Sequence, residues 1–290
     1  MKRLLALVLL LGALPAMAAV SAQDGSGQTI TLAQPAQRIL TLVPHATEML
    51  YAIGAGDKLV ATVEYSNHPE AAKRLPRVGS FTGFSLEAVM RQRPDLVVAW
   101  SDGGAPRELE RVRSLGIPVY LSHPLQPDDV AKEMLALGRL AGVDAAAGKA
   151  AASYRQRLAD LRQRYGARAP VRVFYQVSQM PIFTVSDQSF MGPLISLCGG
   201  VNVFGDVRLP APQVSAATVV AARPQAILAG DEASLRSWRR WPALPAVAGN
   251  ALFALPGDAM VVPGPRLVDG AAALCLALDT ARQRLGLTAK

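Results

Sequence analysis

The order of apolar and helical segments along the chain constrains the fold more than any other feature. Apolar segments of four to seven residues alternate with amphipathic segments of about ten, and the first of them lie at 39–43, 59–63, 95–100 and 117–121. From 128 to 165 the pattern is helical without a strand signal, and apolar segments return at 171–177 and 226–229. Because strands that alternate with helices form parallel, helix-covered sheets, we predict an α/β fold with two lobes joined by one long helix.

A weak internal repeat supports two related lobes. Residues 86–98 and 216–228, which are 130 positions apart, both read as a helix, an Arg-Pro turn and an apolar strand. Chance similarity between two helix–proline–strand units is the alternative explanation.

The N-terminus has the pattern of a secretory signal peptide. Lys2 and Arg3 precede an apolar segment at 4–14, and small residues then leave cleavage sites after Ala18 or Ala22. The domain organisation we predict is a signal peptide at 1–22, an N-terminal lobe at 23–127, a linking helix at 128–166 and a C-terminal lobe at 167–290. We expect the mature chain to be soluble and exported, since no later segment of about 18 residues is apolar enough to span a bilayer.

The charge of the chain does not indicate nucleic-acid binding. Without Lys2 and Arg3 the chain keeps 28 basic and 22 acidic residues, a net charge of +6. The basic residues stand at helical spacing beside acidic or apolar residues, as on a solvated helix face. We therefore expect no nucleic-acid partner.

The two cysteines, Cys198 and Cys275, are expected to form a structural disulfide. Export places them in an oxidising compartment, and neither has the spacing of a metal ligand or a redox motif. Closing a loop of this length stabilises a fold by about 4 kcal/mol.

Motifs of catalysis are missing from the sequence. There is no G-x-S-x-G, no phosphate-binding glycine loop with lysine and no H-E-x-x-H. The three histidines, His45, His68 and His123, all fall in the first lobe, where they would form either a zinc site or ordinary surface and loop positions. We predict that the chain is not an enzyme, and an exported metal-dependent enzyme is the alternative from another class.

Aromatic residues concentrate where predicted strands end. Tyr65, Phe81, Trp100 and Phe183 fall in or beside loops, whereas the strands are nearly all aliphatic. Because the loops at the carboxyl ends of parallel strands build the ligand crevice, these residues predict a large, flat, partly apolar ligand. Alternatively, each ring closes the end of a hydrophobic core.

Several segments resemble the periplasmic cobalamin-binding proteins of vitamin uptake systems, which belong to the substrate-binding proteins of metal-chelate importers. They are ILTLVPHATE at 39–48, YSNHP at 65–69, RPDLVVAW at 93–100, LCGGVNVF at 197–204 and LPAPQVS at 209–215. The resemblance covers about 38–278.

The resemblance implies a class III periplasmic binding protein fold, in which two Rossmann-like lobes, joined by a single long α-helix, hold the ligand between them. It implies a monomer that carries cobalamin as transported ligand, with no catalytic cofactor, to an inner-membrane ABC permease. Cys198 and Cys275 match the disulfide of the family. The ligand-binding residues expected are Tyr65, Phe81 (in place of a tryptophan), Trp100, Phe183, Asp258, Met260 and His45.

Some positions depart from the family pattern. Ala211 stands where the family has a tryptophan, and of two acidic docking residues Glu87 is present but the second falls on Ala217. Asp206, Asp231 or Glu232 could substitute, or docking could be asymmetric. His45 and Tyr65 are possible axial ligands of a metal centre, so a haem or ferric-siderophore carrier of the same fold is the alternative function.

Overall fold

The structure, a computed structural model, describes residues 19–80 and 82–287. The first lobe is built on a four-stranded parallel sheet with the order β4-β3-β7-β8. Its strands are β3 (Ile39–Thr41), β4 (Leu59–Ala61), β7 (Leu96–Trp100) and β8 (Val119–Ser122). These are the four apolar segments predicted from the sequence, and they are buried because helices cover both faces of the sheet.

Four helices and two hairpins complete the first lobe. The helices are α1 (Pro44–Ala52), α2 (Leu86–Arg91), α3 (Pro106–Ser114) and α4 (Pro127–Ala141). The antiparallel hairpins are β1 (Val20–Gln23) with β2 (Thr29–Leu32) and β5 (Gly79–Ser80) with β6 (Gly83–Phe84). Short 3-10 helices occur at Gly56–Lys58 and Glu70–Arg74.

The second lobe repeats this plan. Its parallel sheet has the order β12-β9-β13-β14 and consists of β9 (Val171–Gln176), β12 (Gly200–Asn202), β13 (Ala226–Ala229) and β14 (Leu252–Ala254). A hairpin joins β10 (Ser178–Gln179) to β11 (Ile182–Phe183). The helices are α6 (Gly192–Leu197), α7 (Ala216–Ala222), α8 (Glu232–Arg236), α9 (Pro245–Ala248), α10 (Gly257–Val261) and α11 (Leu267–Arg284), with a 3-10 helix at Ser237–Arg240.

The segment predicted as the linking helix, 128–166, consists of two helices that meet at Gly142. Helix α4 ends at Gly142, which adopts a left-handed conformation (φ 69°), and α5 (Asp144–Tyr165) begins two residues later. Glycine ends helices in this way because it lacks the Cβ that opposes positive φ. Helix α4 packs on β1 and α1 of the first lobe, whereas α5 packs on α4, α6 and α11, so the 22-residue α5 is the link between the sheets.

The internal repeat is present in the structure at the level of single residues. Ser85 and Ser215 cap α2 and α7, each accepting a hydrogen bond from the backbone three residues on. Arg93 and Arg223, at the equivalent turns, both have positive φ, 47° and 46°. Two lobes that share caps, turns and strand order therefore share one local folding pattern.

The hydrophobic core runs through both lobes. One cluster of buried residues extends from Ile39 through Met134 on α4 and Leu158 on α5 to Leu274 on α11. Cys198 and Cys275 form the expected disulfide, with Cα atoms 4.7 Å apart, and tie the end of α6 to α11. Burial along α4 and α5 thus makes the link between the lobes a packed one.

The N-terminal hairpin is held firmly to the first lobe. Asp24 is buried, and its carboxylate accepts hydrogen bonds from the backbone of Ser26, Gln28 and Leu121. Most of the predicted signal peptide, residues 1–18, lies outside the described residues, and so does Phe81. Within 19–80 and 82–287, no helix has the length and apolar character needed to cross a bilayer.

Candidate ligand-binding cleft

The two lobes meet at the carboxyl ends of their sheets. Glu48 on α1 and Arg266, just before α11, form an ion pair with two hydrogen bonds, Nε to Oε2 at 3.0 Å and Nη2 to Oε1 at 2.6 Å. Gly264 lies against the same helix, since a Cβ built on it would stand 3.2 Å from Oε2 of Glu48 and 3.6 Å from Cβ of His45. Partial burial lowers the pKa of Arg266, but the hydrogen-bonded Glu48 carboxylate outweighs it and raises the pKa above its usual value.

The lobes also come close to one another where the loop after β4 faces helix α10. His68 Nε2 lies 3.9 Å from Asp258 Oδ2, and both side chains are accessible to solvent. One of these residues follows a strand of the first sheet and the other follows a strand of the second. We take the space beside these two contacts as the candidate cleft, with the partly buried Glu48–Arg266 pair at its closed end and the solvent-accessible His68–Asp258 pair at its open end.

The first lobe contributes two aromatic residues at this edge. Tyr65 is 73% exposed and has a φ of 65°, a left-handed conformation that costs energy for a side chain of its size. Such conformations cluster at functional sites, where surrounding structure enforces them. Trp100 ends β7 and is half-buried, and its ring packs edge-on against His45 with centroids 5.3 Å apart. Tyr65 lies in the loop after β4, and Trp100 is the last residue of β7.

The structure buries His45, which the resemblance implied as a ligand-binding residue and a possible axial ligand. It is 1% exposed, between Trp100, Ser122 and the Gly264 backbone. Its Nε2 is hydrogen-bonded to Ser122 Oγ at 2.6 Å, and burial lowers its pKa to about 3. The ring is therefore neutral and lies behind the aromatic wall.

The second lobe presents the β10–β11 hairpin and helix α10. Phe183 is half-buried on β11, and Met180 at the hairpin tip is 89% exposed. Asp258 on α10 is exposed, whereas Met260, the other ligand-binding residue expected on this helix, is fully buried against α11. Residues two apart on a helix point about 200° apart, so Asp258 and Met260 lie on opposite faces.

Four residues at the cleft were not predicted individually as site residues from the sequence: Glu48, His68, Met180 and Arg266. His68 and Met180 stand in loops that follow strands, so their position was available as a signal. Glu48 and Arg266 are 218 residues apart, and no local pattern pairs them.

The docking residue suggested by the family pattern is accessible. Glu87 lies in the first turn of α2, where it is exposed and forms an ion pair with Arg91 of the same helix. Ala217 holds the equivalent place on α7. Among the alternatives, Asp231 caps α8, where hydrogen bonds from Ser234 lower its pKa, and Glu232 follows it in the first turn.

The three histidines do not form a metal site. His45 bonds Ser122, His68 approaches Asp258, and His123 bonds Ser101 through Nδ1, with Asp102 at 3.5 Å. Over the described parts of the chain, no group of three or more His, Cys, Asp or Glu side chains is placed to hold a metal ion.

The chain is similar to known binding proteins over most of its length. Residues 39–259 match the family model described as periplasmic binding protein. The vitamin B12-binding protein of Vibrio cholerae serotype O1 is 41% identical over 253 residues, which is 86% of this chain and 92% of that protein.

Solved structures agree in fold. The crystal structure of the periplasmic vitamin B12 binding protein of Vibrio cholerae has a TM-score of 0.80 at 41% identity, covering 86% of this chain and 99% of that one. The periplasmic haem-binding protein of Vibrio cholerae has a TM-score of 0.74 at 20% identity, covering 83% and 98%, and shares the fold. The predicted class III fold is confirmed.

Proposed function

Because the chain belongs to the periplasmic binding protein family, we propose that it captures cobalamin between its lobes and delivers it to an ATP-driven importer. Its relatives are binding proteins, and the chain is a binding protein and not an enzyme.

The observation that carries the ligand assignment is the pairing of 41% identity to a vitamin B12-binding protein with an aromatic cleft of matching chemistry. Tyr65 and Trp100 from one lobe and Phe183 from the other offer ring faces to the apolar surface of a corrin. Asp258 offers a carboxylate to the amide side chains of the ligand. Phe81, outside the described residues, is proposed as a further wall on the sequence alone.

A haem or ferric-chelate carrier is the competing function. Tyr65 is accessible and a tyrosinate can bind haem iron, but the buried His45 is not available as a second ligand. The corrinoid proposal is better supported, since the similarity to the haem-binding protein extends to the fold alone.

Delivery would use the exposed acid on α2. We place Glu87 opposite an arginine of the permease, and Ala217 makes the second lobe's contact weaker, so docking is asymmetric unless Asp206, Asp231 or Glu232 substitutes. Export would follow cleavage after Ala18, because cleavage after Ala22 would remove three residues of β1 (Val20–Gln23). We propose that the mature monomer works in the periplasm.

Side-by-side titration of the purified, exported protein with cyanocobalamin and with haemin tests the proposal. Calorimetry is expected to show one cobalamin per chain and no saturable haemin binding. A Soret band with iron–tyrosinate features on haemin addition, together with no heat on cobalamin addition, would transfer the assignment to haem. Failure of both ligands to raise the thermal midpoint would reject a tetrapyrrole-type ligand altogether.

A further inference from the structure

A chain of polar side chains runs inside the first lobe from helix α4 to the ring of Trp100. Glu133 is buried on α4, where its Oε1 accepts a hydrogen bond from the backbone N–H of His123 at 2.6 Å. Its Oε2 is hydrogen-bonded to Ser122 Oγ. The same Oγ lies 2.6 Å from Nε2 of His45, whose ring meets Trp100 at an interplanar angle of 89°.

The hydroxyl of Ser122 has one hydrogen to share between two neighbours. When Glu133 is ionised, that hydrogen points to the carboxylate, so Nε2 of His45 must carry a hydrogen and donate it to Oγ. When Glu133 is protonated, its own O–H donates to Oγ, the Ser122 hydrogen points to Nε2, and the neutral ring of His45 carries its hydrogen on Nδ1. The two states of the carboxyl thus require two different tautomers of a neutral imidazole.

We propose that Glu133 is a positioning residue for the ligand wall, and that its protonation, relayed by Ser122, selects the tautomer of His45 and so the charge distribution facing Trp100. The inference rests on the proposed function only in taking Trp100 as a wall of the cleft. The relay itself is a property of the ligand-free protein.

The surroundings of Glu133 place its titration near neutrality. Burial raises its pKa to about 7, against the opposing hydrogen bonds from Ser122 and the His123 backbone. His45 stays neutral throughout this range, because burial lowers its pKa to about 3. The relay therefore changes a tautomer and not the charge of the ring.

Other titratable groups face the same region from every neighbouring element. A cavity of about 340 Å³ beside Glu133 gives the carboxyl a path for proton exchange with solvent. Besides His45 on α1, the groups are Asp24 from the β1–β2 turn, Tyr120 from β8, His123 from the following loop, and Asp129 and Lys132 from α4. His123 also contacts Ser101, next to Trp100, so the experiment must separate its titration from that of Glu133.

Nuclear magnetic resonance of the ligand-free protein tests the relay. Between pH 6 and pH 8 the ring nitrogens of His45 are expected to pass from one tautomer pattern to the other, with a midpoint near pH 7. The indole N–H signal of Trp100, assigned with Trp100→Phe, should follow with the same midpoint. Both responses should vanish in Glu133→Gln, and in Ser122→Ala the His45 response should vanish although Glu133 still titrates.

Two further variants decide between the relay and its neighbours. Glu110→Gln, which removes an exposed acid of α3, should leave both responses as in the parent protein, and His123→Asn should retain them. If the His45 and Trp100 responses persist in Glu133→Gln, or if they are lost in His123→Asn, the proposal is overturned.

Ligand titration adds a readout tied to the proposed function. The Kd for cyanocobalamin should change about threefold between pH 6 and pH 8, as a change in one aromatic contact can produce, and the change should be lost in Glu133→Gln. A protein that binds no cobalamin but keeps the His45 and Trp100 responses would refute the proposed function and leave the relay standing.

Discussion

Glu48 and Arg266 join the two lobes by a pair of hydrogen bonds between groups 218 residues apart in sequence. The carboxylate is almost fully buried, and the guanidinium is about one quarter exposed. A planar guanidinium that meets both oxygens of a carboxylate fixes orientation as well as distance. The pair therefore sets how α1 and the start of α11 stand relative to one another at the closed end of the cleft.

Removing one partner of this ion pair should destabilise the folded protein. Arg266→Gln leaves the buried carboxylate without its cation, so we expect a loss of about 2 kcal/mol in the free energy of unfolding, less than for a fully buried pair because Arg266 is partly exposed. The double variant Glu48→Gln/Arg266→Gln should recover part of that loss in urea denaturation. Strictly additive losses in the double variant would show that the two side chains are not coupled.

Trp100 should contribute directly to ligand affinity. Trp100→Ala is expected to weaken cobalamin binding by about 1–3 kcal/mol, because a ring face is lost from the wall. Trp100→Phe, which keeps a ring, should lose much less. Calorimetry at constant pH gives both values, and an unchanged affinity in Trp100→Ala would return the residue to a purely structural role.

Met180 should act as an additional apolar contact from the second lobe. An almost fully exposed methionine at a loop tip has no packing role in the free protein, and its flexible thioether adapts to irregular surfaces. Met180→Gln is expected to weaken cobalamin binding by about 1 kcal/mol without changing stability. Leu276→Gln on α11 removes another exposed apolar residue of the same lobe and is the control; equal effects of both variants on affinity would contradict a specific role.

Glu133 should make the stability of the protein depend on pH. Its pKa is raised from 4.5 to about 7 by burial, so its folded state favours the protonated form. The stabilisation is fully present below about pH 4.5 and is lost as pH rises to about 7, by up to about 3 kcal/mol.

Glu133→Gln should remove this dependence. The variant's unfolding free energy relative to the parent is expected to increase between pH 4.5 and pH 7 and then level off. Chemical denaturation across this range measures it, with Glu110→Gln as the exposed control. A relative stability that stays flat with pH would contradict a raised pKa.

We expect Glu87 to affect stimulation of the importer and not the affinity for cobalamin. Glu87→Ala removes an exposed acid whose described partner is Arg91 of the same helix, so cobalamin affinity should be unchanged. Stimulation of the importer's ATPase in proteoliposomes should fall, and Ala217→Glu, which supplies an acid at the equivalent place on α7, should raise it. A parallel loss of ligand affinity in Glu87→Ala would argue against the docking role.

Local sequence patterns predicted the framework of the molecule. Each apolar segment of the sequence forms a strand, since burial on both faces of a parallel sheet requires continuous apolar residues. The repeat at 86–98 and 216–228 predicted a correspondence that extends to two serine caps and two turns. Two cysteines in an exported chain left one possible pairing, and that pairing is present.

Tertiary packing decided which of the candidate side chains are exposed in the ligand cleft. The structure buries His45 and Met260 and divides the linking segment at Gly142, because side-chain direction and a single glycine turn depend on how neighbouring elements pack. The interlobe pair and the Glu133 chain join residues from separate elements, and their energies come from burial. A residue's sequence neighbours determine whether it forms a strand or a helix, whereas its access to ligand and its pKa depend on which distant groups exclude water from it.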